Sequence, residues 1–348
     1  MKTFDYRSLA TKKWDNEIVG YLSLIHEYKT KQDMFLLTNQ ECLDKLVEIC
    51  KVQSTLSSNE IEGIRTTTNR LNKIMQSTIT PKTRDEEEIA GYRDVLNAIN
   101  ENYEYIPLTP NYLLQLHAML FAHSSKAIGG KFKNVQNYIT ATDANGNYFT
   151  LFTPPAPYET APAIESLCSE FNRAISEGDV DPLILIPVFI HDFLCIHPFL
   201  DGNGRLSRLL TTLLLCKSGY TIGKYISLEA KIAETKSGYY SALQKSQTNW
   251  ESGENNVEPF IKYLLGTIVA AYRDEDARIK IISDSQNSAS MVRSAISTVV
   301  GKFTKNDLLS LCPTISIKTI ESCLAKLSAS GEIKKHSAGK NTYYTVNG

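Results

Sequence analysis

The sequence predicts a mainly helical protein with one β-hairpin in its core and a small C-terminal winged helix-turn-helix domain. Three observations support this prediction: apolar residues at helical spacing over long stretches, turn signals and β-prone runs within residues 128–158 of the core, and a polar segment, DSQNSAS, ahead of the C-terminal residues. We therefore divide the 348 residues into an N-terminal helical region (1–105), a core (106–283), a linker (284–290) and a C-terminal domain (291–348).

Helices are expected where apolar residues recur every three to four positions and glycine and proline are scarce. In residues 41–75, Leu43, Leu46, Val47 and Cys50 have this spacing. The same criterion predicts helices over residues 83–102, 111–122, 161–177, 182–196, 204–218 and 258–278. Gly219 is suited to end the 204–218 helix, because glycine adopts the left-handed conformation at low cost.

A β-hairpin is expected within the core. Two β-prone runs, NYIT and NYFTLF, surround the turn signal DANG and precede Pro154 and Pro155. Strand-forming runs on either side of an Asn-Gly turn are typical of a hairpin. We therefore predict a hairpin over residues 136–152, followed by an extended proline segment.

The C-terminal residues have their own pattern. We expect helices over residues 305–312 and 317–330, with Ser316 and Gly331 at the two ends of the second, and strands at EIKKH and TYYTV around the turn SAGKN. From Ser290 onward the net charge is +5, against −6 for the rest of the chain. DNA is therefore a candidate partner, contacted by Lys318, Thr319 and Ser322 near the start of the second helix.

Composition limits the classes of function. The formal net charge of −1 and the 22% of charged residues do not favour nucleic-acid binding along the whole chain. The N-terminus lacks the apolar run of a signal peptide, and the most apolar stretch, residues 182–196, is too short to span a bilayer. Seven scattered cysteines without a C-x-x-C pair predict free thiols. We expect a cytoplasmic protein without a membrane partner.

The stretch HPFLDGNGRLSR, residues 197–208, has the composition of a phosphate site. Its turn, residues 201–204, leads into a helix, and its glycines leave backbone N–H groups uncovered at a helix N-terminus, where anions bind. Arg205 and Arg208 are three residues apart and can meet one oligophosphate. Asp201 could hold Mg²⁺, and the neutral imidazole of His197 could take a proton from an attacking hydroxyl. Neither the phosphate loop G-x-x-x-x-G-K-[ST] nor the zinc motif H-E-x-x-H occurs in the chain.

Residues 197–208 match every specified position of the signature H-x-F-x-[DE]-G-N-G-R-x-x-R. This match makes the sequence resemble Fic domain proteins. The resemblance implies a Fic-type helical core with a hairpin flap and a nucleotidyltransferase, usually one that transfers AMP from ATP to a protein hydroxyl. It implies that His197 is the base, that Phe199 packs the loop into the core and that Asp201 holds Mg²⁺. The residues implied to bind ATP through its phosphates are Gly202, Asn203, Gly204, Arg205, Leu206, Ser207 and Arg208.

Two further features resemble the family. Residues Gln136, Asn137, Tyr138 and Ile139 occupy the place of the flap, which binds the target protein by strand addition. The segment GKFKNVQNYIT departs from the family pattern G-x-Y-R-x-x-x-V-x-I-G at Lys133, Asn137 and Thr140. Tyr239 and Tyr240 resemble the tyrosines of the family's adenine pocket.

An inhibitory segment is implied upstream. SSNEIEG, residues 57–63, resembles the family's inhibitory motif [ST]-x-x-x-E-[GN], with Ser58, Glu62 and Gly63 in the specified places. On a helix Ser58 would brace Glu62, and Glu62 would pair with Arg208 where the γ-phosphate should bind.

The primary hypothesis is therefore an autoinhibited protein adenylyltransferase that uses Mg²⁺ and ATP and modifies a target protein, itself included. A homodimer is left open. The alternatives are a DNA-binding regulator whose Fic core senses a nucleotide, transfer of a different nucleotide, and removal of AMP from a target with Glu62 aligning a water.

Overall fold

The structure is a computed structural model that describes residues 2–36, 40–142, 146, 148–283, 287–299, 301–338 and 341–347. The chain is mainly helical, as predicted. Its helices are α1 (Asn16–Leu36), α2 (Gln40–Ile61), α3 (Thr68–Met75), α4 (Arg84–Asn102), α5 (Pro110–Leu120), α6 (Pro157–Glu177), α7 (Pro182–Ile196), α8 (Asn203–Lys217), α9 (Ile222–Tyr225), α10 (Leu228–Glu234), α11 (Lys236–Gln247), α12 (Glu258–Ser283), α13 (Ser288–Thr298), α14 (Lys305–Leu311) and α15 (Ile317–Ala329).

Within the described residues, five strands form two small sheets. In the first sheet β1 (Ile139–Thr142) pairs antiparallel with β2 (Tyr148–Phe152), which is the predicted hairpin; Asp143, Ala144 and Asn145 of its turn lie outside the described residues. The second sheet has the order β3-β5-β4, formed by β3 (Lys302–Phe303), β4 (Ile333–Ala338) and β5 (Asn341–Val346).

The chain divides into two compact units, one of residues 1–27 and 50–271 and the other of residues 28–49 and 272–348. The expected boundary at residues 284–290 is therefore not where the units divide. Residues 284–286 lie outside the described residues, and Ser288 already begins α13, because the Asn287 side chain accepts hydrogen bonds from the N–H groups of Ala289 and Ser290. The last part of the predicted linker is thus helical.

Two buried helices form the centre of the first unit. Every residue of α7 from Leu183 to Ile196 is buried, and α8 is buried over nearly its whole length, including Arg205 and Arg208. Helices α4, α6 and α11 cover this pair. The loop that joins α7 to α8 consequently lies between two fixed helix ends.

The second unit has a separate apolar core. Its largest buried side chains come from α13, α14, α15 and the three-stranded sheet, and include Val292, Phe303, Leu308, Ile320 and Leu324. The expected helices α14 and α15 and the expected strands β4 and β5 are all present, with Ser316 as the N-cap of α15. Their assignment to the winged-helix class stays a prediction.

Several elements lacked a clear signal in the sequence. In α1, Ile18 and Ile25 are completely buried, but they lie seven residues apart on a narrow stripe, so the apolar periodicity is weak. The strand β3 has only two residues. Within the described residues, none of the helices has both the length and the apolar character that crossing a membrane requires.

The close approach of α4 and α5 depends on Gly91. A Cβ atom at this position would overlap the carbonyl oxygen of Leu120. We expect Gly91→Ala to lower the free energy of unfolding by about 1–3 kcal/mol, because backbone would have to shift to make room. Urea unfolding followed by circular dichroism measures the change.

Gly20→Ala is the matched control. Gly20 also lies inside a helix, and no atom is within 4 Å of the point that a Cβ would occupy there. Alanine at this position should raise the free energy of unfolding by up to about 1 kcal/mol, owing to its higher helix propensity. Equal effects of the two substitutions would contradict the proposed contact between α4 and α5.

Candidate functional site

The candidate site is built on the loop between α7 and α8. His197 ends α7 in the left-handed conformation, with a φ of 48°, and its N–H donates to the carbonyl of Phe193. Gly202 precedes α8 with a φ of 83°, and a Cβ there would lie 2.8 Å from the Phe121 ring. Only glycine fits both this φ and this space, so the loop can turn directly into the N-terminus of α8.

Two buried side chains hold the loop from inside. The His117 ring stacks on Phe199, with ring centroids 3.7 Å apart. The N–H of Gly130 donates to His117 Nδ1, so the proton is on Nε2, which donates to the carbonyl of Asp201 at 3.0 Å. Burial lowers the pKa of His117 to about 4, so this clamp stays uncharged. Sequence reasoning missed His117, because it lies 84 residues from the loop and in no motif.

Asn203 has a structural function in the same loop. Its side-chain oxygen accepts from the N–H of Phe199 at 3.0 Å, and its side-chain nitrogen donates to the Phe199 carbonyl at 2.8 Å. Both ends of the amide are therefore occupied within the loop, and the expected phosphate binding by Asn203 stays a prediction. Phe199 itself is completely buried, as the resemblance implied.

The segment before the hairpin holds the loop from the other side. The Lys133 N–H donates to the Pro198 carbonyl, and its Nζ donates to the Ile196 carbonyl. The Asn137 amide donates to the carbonyls of His197 and Phe199, each at 3.1 Å. The Asn137 side chain is thus directed to the loop, and the expected contact of this residue with a target protein stays a prediction.

The remaining flap residues have different surroundings. The Gln136 amide donates to the carbonyls of Asn137 and Pro154, so it too is bound within the chain. Tyr138 is 57% exposed and can contact a partner, whereas the half-buried Ile139 begins β1 opposite Phe152.

His197 has the properties of a proton acceptor. Its Nδ1 lies 3.3 Å from the Leu194 carbonyl oxygen, which places the proton on Nδ1 and leaves a lone pair on Nε2. Burial lowers the pKa of His197 to about 4, and the charge of Lys133 acts in the same direction. The imidazole is therefore neutral at physiological pH, which is the form a general base needs.

Arg205 is a buried cation that is only partly paired. It is 1% exposed, its Nη2 lies 2.9 Å from Glu88, and its guanidinium lies over the Phe121 ring. Its Nη1 has no hydrogen-bond partner in the described part of the chain. A buried, unpartnered guanidinium nitrogen is costly unless an anion accepts its proton, so this atom is suited to a phosphate oxygen.

Asp201 is surrounded by positive charge. Its carboxylate lies 2.7 Å from Lys126 Nζ, 3.5 Å from Arg205 and 3.7 Å from Arg84, and accepts from the N–H of Gly202. Burial raises the pKa of Asp201, but the hydrogen bond from Lys126 and the charge of Arg205 outweigh it, and the net change is a lowered pKa. No cluster of three metal-liganding side chains exists among the described residues.

A single carboxylate of this kind fits Mg²⁺ only together with substrate phosphates, because Mg²⁺ keeps several waters and prefers one or two carboxylates plus phosphate oxygens. Asp201 would hold the ion, and the ion would have to replace Lys126 as its partner. The donor set thus fits a metal that arrives with an oligophosphate.

Arg208 is held by the upstream segment, as expected. Its Nε donates to the Ser58 hydroxyl at 2.8 Å, and its Nη2 donates to the Ser58 carbonyl at 3.0 Å and to Glu62 at 2.7 Å. Burial opposes the charge on Arg208, but Glu62 next to it raises its pKa overall. The Nη1 of Arg208 has no partner among the described residues, as in Arg205.

The Glu62 carboxylate lies at the N-terminus of α8. A Cβ at Gly204 would overlap Oε1 of Glu62, which shows how closely the carboxylate approaches this backbone. Ser58 and Glu62 do not share one helix as expected, because α2 ends at Ile61 and Gly63 follows with a φ of 81°. Glu62 is 34% exposed, so the anion at this helix terminus is accessible to solvent.

The remaining residues that were expected to bind ATP differ in burial, and their expected function stays a prediction. Leu206 is in the core and its N–H donates to the Gly202 carbonyl, so it offers no polar group to an anion. The Ser207 hydroxyl donates to the Gly204 carbonyl and is completely buried. Tyr239 is buried among other rings, whereas Tyr240 is 44% exposed and presents part of its ring to solvent.

Comparison with known proteins gives consistent results. A model of the Fic/DOC family matches residues 107–215. The protein adenylyltransferase Fic of Drosophila melanogaster is 28% identical over 214 residues, which are 59% of this chain and 38% of the relative. The corresponding protein of Drosophila willistoni is 27% identical over 211 residues, 59% of this chain and 37% of the relative. The chain thus spans less than two fifths of the length of these relatives.

Solved structures share the fold. A Fic family protein from Desulfovibrio desulfuricans superposes with a TM-score of 0.63 and 18% identity, over 97% of this chain and 98% of that one. A Fic domain containing signaling protein from Bacteroides thetaiotaomicron gives a TM-score of 0.61 and 22% identity, over 74% of this chain and 97% of that one. Together with the 197–208 signature and the family match, they lead to one conclusion: this chain contains a Fic domain of the Fic/DOC family.

Proposed function

We propose that the protein is an ATP-dependent protein adenylyltransferase that Glu62 holds in an inhibited state. The observation that carries this proposal is the position of the Glu62 carboxylate, which lies at the N-terminus of α8 and is bound by the buried Arg208. A carboxylate here occupies the place where a helix N-terminus and an arginine would bind a phosphate. The named relatives are adenylyltransferases, and their similarity supports the same reaction.

The chemistry follows from the charges of the site. The hydroxyl oxygen of a target residue attacks the α-phosphorus of ATP while His197 Nε2 takes its proton, and pyrophosphate leaves with the electrons of the broken P–O bond. Arg205 and Arg208 would bind the departing phosphates through their unpartnered Nη1 atoms. Mg²⁺ held by Asp201 would neutralise charge on the phosphates.

Inhibition by Glu62 has an electrostatic cause. Its carboxylate takes one donor of Arg208 and adds a negative charge where the terminal phosphate of ATP should bind. Because Glu62 is partly exposed and lies beyond the end of α2, its side chain can leave without unfolding the helix. Transfer of a different nucleotide and removal of AMP remain alternatives, since the unpartnered nitrogens of Arg205 and Arg208 are suited to phosphates and do not select a base.

Removal of the Glu62 carboxylate should activate the protein. We expect Glu62→Gly to strengthen ATP binding at least about tenfold and to start self-modification, because the phosphates no longer compete with a carboxylate. Intact-mass spectrometry after incubation with Mg²⁺ and each nucleoside triphosphate identifies the transferred group. A mass gain from another triphosphate would assign a different donor.

Two variants serve as controls. Glu60→Gly removes the exposed carboxylate two residues earlier, and it should leave ATP affinity unchanged. Adding His197→Ala to Glu62→Gly should lower the transfer rate by about 10²–10⁴-fold. Inhibition by Glu62 is refuted if Glu62→Gly and Glu60→Gly behave alike.

The protonation of His197 gives an independent test. The pKa of about 4 predicts an imidazole that stays neutral down to about pH 5 and is protonated only below. A titration of the imidazole carbon-bound protons by NMR, assigned by their loss in His197→Ala, should have its midpoint near 4. Glu62→Gly should lower the midpoint further, because the nearby negative charge favours the imidazolium. A midpoint at the ordinary value of about 6.5 would show that the ring is not desolvated.

A second candidate function, nucleic-acid binding by the C-terminal residues, is favoured by unbalanced charge. The acidic side chains of this region already have partners within the chain. Asp307 accepts from Thr304 at the start of α14, Glu321 pairs with Lys305, and Glu332 pairs with Arg293. From Ser290 onward, the exposed lysines that form no ion pair within the described residues are Lys302, Lys318, Lys326, Lys334 and Lys335.

A groove of about 1020 Å³ concentrates part of this charge. Lys302 and Lys335 border it, as do Asp307 and the ion pair of Lys305 with Glu321. Tyr343 also lines the groove, and its ring stacks on His336 with centroids 4.8 Å apart. Lysines next to an aromatic ring are suited to a phosphate backbone. The groove borders the second half of α15, whereas the expected contacts lie near the start of that helix.

The salt dependence of binding distinguishes DNA contact from a protein-docking function. Lys335→Ala should weaken binding to a random duplex and reduce the slope of log affinity against log salt by about one, because one phosphate contact is lost. Fluorescence anisotropy at salt concentrations between about 50 and 200 mM measures the slope. Lys13→Ala, which removes a charge outside this unit, should leave the slope unchanged. If the protein does not bind the duplex at low salt, DNA binding is refuted and this unit is assigned to docking a protein.

A further inference from the structure

His197 has an unfavourable backbone conformation. Its φ of 48° and ψ of 62° lie in the left-handed region, which is costly for a residue with a side chain. Pro198 follows, and a residue before proline prefers an extended conformation. Such a conformation persists only where the surrounding structure compensates its cost. The groups that fix the backbone here also fix the direction of the imidazole, because the Cβ atom turns with the peptide groups on either side of it.

The imidazole ring has little support of its own. Its hydrogen bond from Nδ1 to the Leu194 carbonyl is 3.3 Å long, which is longer than most bonds of this kind. The N–H of His197 donates to the Phe193 carbonyl at 3.0 Å and so fixes the peptide group before the residue. The peptide group after it has to be held by other elements, since α7 has ended at Ile196.

Lys133 and Asn137 bind the four carbonyls of residues 196–199. Lys133 donates to the first and the third of them, through Nζ at 3.0 Å and through its N–H at 2.8 Å. The Asn137 amide donates to the second and the fourth, each at 3.1 Å. The peptide groups on both sides of His197 thus accept hydrogen bonds from one short segment of the chain.

The two donor side chains are linked to each other. Lys133 Nζ also donates to Oδ1 of Asn137 at 2.9 Å. Because an ammonium group donates and cannot accept, this contact directs the amide oxygen to Lys133 and the amide NH₂ group to the loop. An amide turned the other way would place its oxygen against two carbonyl oxygens. Lys133 therefore determines the orientation in which Asn137 can bind the loop.

The charge of Lys133 is stabilised at the end of α7. The residue is only 3% exposed, and burial lowers its pKa to about 8. A buried ammonium group is costly unless its hydrogens have acceptors. One acceptor of Lys133 is the carbonyl of Ile196, the last residue of α7, where the helix dipole also favours a cation. The helix that ends at His197 and the lysine thus stabilise each other.

We propose that Lys133 and Asn137 are positioning residues of the transfer reaction, which hold the left-handed peptide at His197 and so direct Nε2 of its ring to the hydroxyl that it deprotonates. Within the described residues, neither side chain has a hydrogen bond to Arg205 or Arg208. The two residues therefore act on the base and not on the phosphates. This inference rests on the proposed function for the identity of the reaction.

The first test observes the His197 ring without any nucleotide. In the full chain labelled with ¹⁵N-histidine, long-range ¹H–¹⁵N correlation spectra at neutral pH show which ring nitrogen carries the proton, and the signal is assigned by its loss in His197→Ala. We expect the proton of His197 on Nδ1 alone. In Asn137→Ala and in Lys133→Met the ring should populate both tautomers, because a peptide that is free to rotate moves Nδ1 away from the Leu194 carbonyl.

Two variants in the same segment are the matched controls. Asn134→Ala removes an exposed amide, and Lys131→Met removes an exposed lysine that donates to a backbone carbonyl outside the loop. Both should leave the His197 tautomer unchanged. His117 is an internal control, because other groups hold it with its proton on Nε2. The proposal is overturned if His197 keeps a single tautomer in both test variants, or if the control variants or His117 change equally.

Asn137→Asp separates hydrogen bonding from the filling of space. Aspartate has the shape of asparagine and keeps an acceptor for Lys133, but it has no hydrogen to donate to the loop carbonyls. We expect both tautomers of His197 in this variant as well, and it replaces Asn137→Ala if the alanine variant folds poorly. A single tautomer with the proton on Nδ1 in Asn137→Asp would refute the donor function.

The second test measures the reaction in the Glu62→Gly background. At saturating ATP, Asn137→Ala should lower the rate of self-modification about tenfold, because the base is displaced. The ATP concentration for half-maximal rate should stay within about twofold, because the phosphate contacts are unchanged. In a background that also carries His197→Ala, Asn137→Ala should have no further effect, since it acts through that ring. An effect on half-saturation alone, or one that persists without His197, would overturn the proposal.

The positioning function and the proposed function can fail separately. If the transfer reaction is wrong, Glu62→Gly gains no mass with any nucleoside triphosphate while the tautomer results are as expected. If the positioning function is wrong, Glu62→Gly gains mass and the His197 tautomer does not respond to the substitutions at Lys133 and Asn137.

Discussion

The site depends on a reversal of the chain inside the protein, between two helices that are buried on all sides. Since α7 and α8 cannot move apart without exposing their apolar surfaces, the loop from His197 to Gly202 has to turn within a fixed space. Left-handed conformations at both ends of the loop make this possible. The stacked ring of His117 and the amides of Asn137 and Asn203 then bind the loop carbonyls and N–H groups. The position of the base and of the anion-binding helix terminus follows from this packing.

The two arginines of the site differ in their carboxylate partners. Arg205 pairs with Glu88, which is 2% exposed and also bound by Arg84, so this pair is a permanent part of the core. Arg208 pairs with Glu62, which is 34% exposed and lies beyond the end of a helix. A buried pair is costly to break, whereas a partly exposed carboxylate regains water when it leaves. The same kind of interaction is thus fixed at one arginine and exchangeable at the other.

Burial also explains the chemistry of the two histidines. His117 and His197 are both neutral because desolvation lowers the pKa of each to about 4. In His117 both ring nitrogens form hydrogen bonds, so the neutral ring holds the loop in place. In His197 only Nδ1 has a hydrogen-bond partner among the described residues, so the neutral ring can accept a proton at Nε2. The two histidines differ in function because the fold engages both ring nitrogens of one and a single ring nitrogen of the other.

The sequence by itself determined the helices with a strong apolar period, the hairpin, and the motif in which His197, Asp201, Arg205 and Arg208 are close along the chain. Local spacing carries this information, because a turn and the first helical turn after it bring their residues together without further contacts. The spacing did not indicate that the side chains of Asn137 and Asn203 are directed into the loop. Only the tertiary structure decided which groups complete the site. His117, Glu88 and Lys126 lie in three separate segments of the chain, and no spacing in the sequence relates them to the loop. Each is brought there by the packing of apolar helix faces, which is a long-range property of the whole unit. The sequence thus specifies the reactive groups, and the fold specifies their partners, their protonation and their exposure to solvent.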